Sequence, residues 1–241
     1  MDTVILLRED DGDISQFEGI RVVCIPALEY IDLNTQFDVN DGDVLVVTSP
    51  RAAIILINQL RLEKFKRKLK IYAMGYKTIN ILKQCPDNVL AGEGTKDAKE
   101  LADLIKHSEA PNTKIKFLCG NNRRDVLPSV LKSAGFEVDE IVLYESKELT
   151  NIKENWDIFS MQSNWVVFMS PMGVKSFFRN VDKECLIGKE IAAIWSSTKA
   201  ALIDQGFESS LIGTPEVPTI LSLLECIKNK SLKFSSYSLN N

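Results

Sequence analysis

A chain of 241 residues, 45% hydrophobic and 26% charged, can bury one large core or two smaller ones, and its formal net charge of −4 argues against a general nucleic-acid binder. Any anionic ligand must therefore be held by a local cluster of donors. Five cysteines without a C-x-x-C pair and a single histidine leave disulfide frameworks, His-based metal sites and Ser-His or Cys-His catalysis little to work with.

Thr3 to Leu7 reads as a first strand, begun so close to Met1 that no signal or transit peptide is expected. An acidic turn from Arg8 to Asp13 follows, and only Ile14 to Phe17 remain for a helix before a strand at Ile20 to Ile25. Pro26 to Leu33 reads as extended chain leaving one lobe for another. Strands are then expected at Val44–Val47, Lys70–Met74, Asn88–Ala91, Lys114–Leu118 and Val138–Leu143, alternating with helices from Ala52, Thr78, Asp97 and Asp125. Strict alternation implies a parallel sheet covered on both faces. Asp38 to Asp43 lacks the spacing of a calcium loop and reads as a turn. The basic run from Lys64 to Lys70 reads as a solvated helix end, or less readily as a polyanion-docking stretch.

Beyond Lys147 the remaining strands, Trp165–Met169, Ile191–Trp195 and Ser209–Ile212, need the first two to complete a sheet. The expected fold class is α/β with two similar lobes, each a parallel sheet with helices on both faces, joined by a two-stranded linker. The first lobe is discontinuous, residues 1–27 plus 146–241, the second is 35–143, and the linkers lie near 28–34 and 144–147. Thr214 to Thr219 leads into a last helix through about Lys228, and the polar tail from Ser231 is expected to fray.

A repeat supports two lobes. Val44 to Asn58 is a strand, a Ser-Pro turn and a helix, and Trp165 to Phe178 has the same pattern, with Ser49 and Ser170 standing 121 positions apart. The segments Ile71–Leu82 and Ile191–Leu202 share Ile, Ala, Thr and Leu at an offset of 120, Thr78 matching Thr198. Such halves predict a cleft where their turns face each other.

In a parallel sheet, ligands gather beyond the carboxyl ends of the strands, where helix N-termini present unpaired N–H groups. The turns there are Thr48-Ser49-Pro50-Arg51, Gly75-Tyr76-Lys77-Thr78, Cys119 to Arg124 (with Gly120, Asn121), Ser170-Pro171-Met172-Gly173 and Trp195-Ser196-Ser197-Thr198. They offer hydroxyls, amides and guanidinium groups, and no general base paired with an activated nucleophile. That set suits holding an anion. Ser49 and Ser170 read equally well as helix caps, Gly75 and Gly120 as turn glycines, and Arg51, Arg123 and Arg124 as solvated cations. No G-x-G-x-x-G or G-x-x-x-x-G-K-[ST] indicates a nucleotide cofactor.

From about Val44 to Leu224 the chain resembles the uroporphyrinogen-III synthase family. The resemblance is carried by Thr48–Ala52, Gly75 with Thr78, Cys119–Pro128, Val142–Glu145, Phe168–Gly173, Ala192–Ile194 through Thr198 to Leu202, and Pro218-Thr219. The Cys-Gly-Asn run looks eukaryotic. The family fold is two α/β lobes on a two-stranded ladder with the site in the cleft. What the resemblance implies is a cofactor-free, metal-free cyclisation: hydroxymethylbilane, a linear tetrapyrrole with eight carboxylates, loses water to an azafulvene on ring A, and ring D attacks through its substituted carbon. The spiro intermediate then fragments and recloses with ring D inverted.

By the family motif Tyr144 is the group that hydrogen-bonds or protonates the departing hydroxyl, and Thr78, Ser197 and Thr198 hold side-chain carboxylates. Tyr144 reads equally as a core tyrosine at a strand end. Thr48, Ser49, Arg51, Gly75, Lys77, Gly120, Asn121, Ser170, Pro171 and Gly173 complete the expected substrate site. Two departures stand out: Trp195-Ser196 where the family commonly has Gly-Pro, and Met172 where Ser is frequent. The implied setting is a cytoplasmic monomer acting on a small-molecule polycarboxylate, with hand-over from hydroxymethylbilane synthase and no nucleic acid or membrane partner. The alternative is a non-catalytic two-lobed binder of an anionic small molecule.

Overall fold

The computed structural model describes residues 2–10, 12, 17–39, 42–62, 69–84, 88–95, 97–123 and 125–229. The expected short helix at Ile14 to Phe17, save Phe17 itself, most of the basic run from Lys64 to Lys68, Arg124 and the tail from Ser231 lie outside the described residues. The chain divides into two compact units, Met1–Glu29 with Lys147–Asn241, and Tyr30–Ser146.

In chain order, β1 (Asp2–Leu7) and β2 (Ile20–Cys24) belong to the first unit, and β3 (Leu28–Asp32) carries the chain into the second. There follow β4 (Val44–Val47), α1 (Pro50–Leu62), β5 (Lys70–Ala73), α2 (Tyr76–Leu82), β6 (Val89–Ala91), α3 (Ala98–Ser108), β7 (Lys114–Gly120), α4 (Val126–Ser133) and β8 (Glu137–Glu148). The chain then completes the first unit with α5 (Ile152–Phe159), β9 (Trp165–Phe168), α6 (Pro171–Asn180), β10 (Glu190–Ala193), α7 (Ser196–Asp204), β11 (Ile212–Gly213) and α8 (Ile220–Lys228).

The second unit is a six-stranded sheet, β3-β8-β7-β4-β5-β6. Its strands from β4 to β8 pair in parallel, with Val47 level with Leu118 and Ala73. Successive side chains of a strand face opposite ways, so β4 serves both faces. Leu45 and Val47 pack with Ala52, Leu56, Ile79 and Leu82, and Val44 and Val46 pack with Leu101, Ile105, Leu127 and Leu131. Each such side chain contributes about 1.5–3 kcal/mol when fully buried, which is why an unbroken run of valine and leucine suits a strand covered on both sides.

The first unit repeats the scheme with five parallel strands, β11-β10-β9-β1-β2. Ile5, Val166 and Phe168 face Trp156, Val174 and Phe177, while Val4, Leu6 and Val167 face Leu223, Leu224 and Ile227. This is an α/β fold with helices on both faces of mainly parallel sheets.

Three local differences from the sequence expectation have physical causes. The stretch read as linker at Pro26 to Leu33 contains β3, a sixth strand beside β8, fixed in part by Leu33 N–H donating to Leu143 O at 3.0 Å. Helix α5 was not among the expected elements; it buries Ile152 and Trp156, one turn apart, in the core. The strand expected over Ser209 to Ile212 is a single 3-10 turn, Ser209–Leu211, followed by the two-residue β11. Helices α1 and α2 also start two residues earlier than the expected Ala52 and Thr78. Among the described residues no helix is long and apolar enough to cross a membrane.

Candidate functional site

In the second unit the strand order reverses at β4: its successors β5 and β6 lie on one side, β7 and β8 on the other. Such a switch point leaves a crevice beyond the carboxyl ends of the two central strands. Here those ends deliver Thr48-Ser49 and Gly120-Asn121. Ser49 Oγ accepts the Ala52 N–H at 3.1 Å and so caps α1, whose first turn carries Pro50 and no acidic residue. The helix N-terminus therefore keeps its partial positive charge without an internal counter-ion.

Tyr144 reaches the same point from β8. Its Oη donates to Ser49 Oγ at 3.2 Å. Strand β7 slips in register between Cys119 and Gly120, which places Gly120 beside Tyr144. A Cβ built on Gly120 would lie 2.6 Å from the Tyr144 ring and 2.9 Å from its hydroxyl oxygen, so only glycine fits against that ring. Asn121 fastens the backbone here, donating its N–H to Tyr144 O at 3.0 Å and accepting the Ser146 N–H on Oδ1 at 2.9 Å.

Arg51, in the first turn of α1, stacks its guanidinium 3.9 Å from the centroid of Tyr30, and lies 6.0 Å from that of Tyr144. The two tyrosine rings are tilted with centroids 6.1 Å apart. One strand over, Gly75 opens α2 with φ +89°, Lys77 is exposed and Thr78 is buried.

The first unit presents a matching edge. Its order reverses between β1 and β9, and beyond β9 Ser170 Oγ accepts the Gly173 N–H at 3.0 Å and Pro171 opens α6, again with no acidic residue in the first turn. A side chain at Gly173 would press on Ser170 Oγ at 3.1 Å. Next to it, Trp195 precedes α7 in extended conformation, 51% exposed, followed by exposed Ser196 and Ser197. Thr198 is fully buried, and its hydroxyl has no hydrogen-bond partner among the described residues. Lys199 beside it is 1% exposed, donates to Ile212 O at 2.9 Å, and is held below the ordinary lysine range by burial.

The repeat survives in detail. Met74 N–H donates to Val47 O at 3.3 Å, and Ile194 N–H to Phe168 O at 3.1 Å, the same link between the same two strands of each unit. Thr48, Ser49, Arg51, Gly120, Asn121 and Tyr144 thus come together in one unit, with Gly75, Lys77 and Thr78 on the neighbouring turn. Ser170, Pro171, Gly173, Ser197 and Thr198 line adjoining strand ends in the other.

Two candidates for anion binding or chemistry turn out to be engaged elsewhere. Arg123 is ion-paired with Glu140, which also accepts from Lys132 Nζ at 2.6 Å. The Cys119 thiol is pushed up to about 11 by burial and donates to Ile141 O, so it is no nucleophile. Among the described residues no three His, Cys, Asp or Glu side chains gather as a metal-holding group. Tyr30 is the contact that sequence reasoning missed; its aromatic ring within an apparent linker was the available signal.

Residues 15–225 match the family model described as Uroporphyrinogen-III synthase HemD. The chain is 28% identical over 221 residues to the uroporphyrinogen-III synthase of Saccharomyces cerevisiae, covering 83% of this chain and 76% of that protein. It is 22% identical to a putative uroporphyrinogen-III synthase of Archaeoglobus fulgidus, covering 89% and 91%. Its fold is similar to the crystal structure of uroporphyrinogen-III synthetase from Helicobacter pylori 26695, with a TM-score of 0.68 at 18% identity, over 95% of this chain and 100% of that one.

Proposed function

Because the chain belongs to the uroporphyrinogen-III synthase family, we propose that the strand ends described above hold and cyclise hydroxymethylbilane to uroporphyrinogen III. The protein is a cyclising hydro-lyase of haem biosynthesis: it closes a linear tetrapyrrole, inverts ring D and releases water. Family membership favours this reading over a binder without turnover.

The linear substrate can close unaided without inversion. The protein has mainly to fold it into one geometry, keep water out and steer which carbon bonds. A phenol is a proton donor near neutral pH. In the proposal Tyr144 gives its proton to the leaving hydroxyl as the C–O bond breaks, and the proton is made good when the closing pyrrole carbon loses its hydrogen. In the second unit the N-terminal turns of α1 and α2 offer carboxylates Arg51 and Lys77 as cations and Thr48, Ser49 and Asn121 as polar contacts; in the first unit those of α6 and α7 offer Ser170 and Ser197. Gly75, Gly120, Pro171 and Gly173 shape these turns. An unpartnered buried hydroxyl costs about 1–3 kcal/mol, so a ligand oxygen reaching Thr198 would relieve that deficit; Thr78 is its counterpart in the repeat.

The observation that carries the chemistry is the Tyr144 hydroxyl set 3.2 Å from the serine that caps α1. Incubation with enzymatically generated hydroxymethylbilane, oxidation and chromatographic separation of the isomers tests it. Isomer III is expected; isomer I alone rejects the assignment. We also take the lobes to be residues 1–27 with 146–241 and 35–143, and the enzyme to be a cytoplasmic monomer receiving its unstable substrate from hydroxymethylbilane synthase. Cys119, Cys185 and Cys226 are free thiols, in keeping with a reducing compartment. Sedimentation at micromolar concentration tests the monomer.

A further inference from the structure

Arg51, in the first turn of α1, belongs to the proposed carboxylate site and stacks against a residue of β3. Tyr30 lies in β3, next to β8, and its ring sits 3.9 Å beneath the Arg51 guanidinium and 6.1 Å from the ring of Tyr144. Arginine is long and has many rotamers, so an arginine placed only by its backbone would spread its charge over many positions. Stacking uses the flat face of a guanidinium and not the in-plane edge by which an arginine grips a carboxylate.

We propose that Tyr30 is a positioning residue for the cyclisation: by stacking on Arg51 and packing against Tyr144 it fixes the cation and the phenol in one geometry at the switch point of the second unit. The role belongs to the ring face, since the geometry that defines it is ring over guanidinium and ring beside ring. It rests on the reading of Arg51 as a carboxylate-binding cation, and the two can fail separately.

The test is a double-mutant cycle with steady-state kinetics on enzymatically generated hydroxymethylbilane. Tyr30→Leu, with Tyr30→Met as a second apolar replacement should the first unfold, is expected to raise KM about threefold to thirtyfold, with a smaller change in kcat. Tyr30→Phe keeps the ring and is expected to restore KM to within about twofold. In the Arg51→Ala background, Tyr30→Leu is expected to add little further to KM. A Tyr30→Leu effect that persists in full without Arg51, or a Tyr30→Phe variant as impaired as Tyr30→Leu, overturns the proposal. Arg51→Ala raising KM while Tyr30→Leu does not leaves the Arg51 reading standing and removes Tyr30 from it. Arg51→Ala with unaltered KM takes both down.

Discussion

The hydroxyl of Tyr144 and the Oγ of Ser49 are 3.2 Å apart, and that same Oγ accepts the amide of Ala52 at 3.1 Å. One serine thus serves two tasks, holding a phenol in place and closing the first turn of α1. Changes at either residue separate the two.

Tyr144→Phe is expected to lower kcat about tenfold to a hundredfold, equivalent to about 1.4–2.7 kcal/mol in the transition state, with KM little altered. Ser49→Ala is expected to lower kcat less and to cost about 1 kcal/mol of stability through the lost cap. Isomer-resolved kinetics and thermal melts of both variants check this pair; a wild-type rate for Tyr144→Phe discards the acid role.

Gly120→Ala places a methyl group where the Tyr144 ring already stands, 2.6 Å away. The ring must move or the bulge must open. Overpacking of this kind costs about 1–3 kcal/mol. The expected outcome is a lower denaturation midpoint together with a fall in kcat, measured on the same preparation. Activity and midpoint both at wild-type values contradict the close approach.

Glu140 tests the pairing that ties up Arg123. Its hydrogen bonds to Lys132 and Arg123 hold its carboxyl below the usual carboxylate range despite partial burial. A depressed folded-state value means that its stabilisation is present above the unfolded value of about 4.3 and is lost as pH falls through the folded value. Glu140→Gln is therefore expected to be less stable than wild type at pH 7 by about 1–2 kcal/mol, with the gap closing in acid below the ordinary carboxylate range. Urea denaturation at several pH values checks the convergence; a constant gap contradicts the pairing.

Trp195 reports on the first unit. Trp156 and Trp165 are buried in its cores, whereas Trp195 is half exposed at the start of α7. If tetrapyrrole carboxylates settle at this turn, intrinsic fluorescence falls on titration with uroporphyrinogen III under anaerobic conditions. Trp195→Phe is expected to abolish most of that change. Undiminished quenching in the variant places the ligand away from this turn.

Much of this was legible in the residues. Ser-Pro after a buried run predicts a capped helix after a strand, and both Ser49 and Ser170 cap as such a pattern requires. The repeat offset that relates Thr78 to Thr198 reflects matching positions in matching helices, the third residue of α2 and of α7, and both threonines are buried. What escaped was tertiary. Tyr30 meets Arg51 and Tyr144 from an element that adjoins neither in sequence, and the close approach of Gly120 to Tyr144 depends on a one-residue slip between strands. Lys199 was not singled out in the sequence, and two residues past exposed Ser197 helix phase turns it inward, where a backbone carbonyl accepts its ammonium. Helix α5 was missed because its apolar positions, Ile152, Trp156 and Phe159, are diluted by charged and polar neighbours.

The place of β1 between β9 and β2 has a consequence for how the chain is made. The amide of Thr3 is received by Asn164, 161 residues further on. At about 5–20 residues per second of synthesis, the first strand waits on the order of ten seconds or more for its neighbour to leave the ribosome. During that interval Tyr30 to Ser146 is already complete and free to collapse on its own. The nascent Val4–Leu7 segment meanwhile has only β2 to pair with, and the edge that β9 will cover stays open to water.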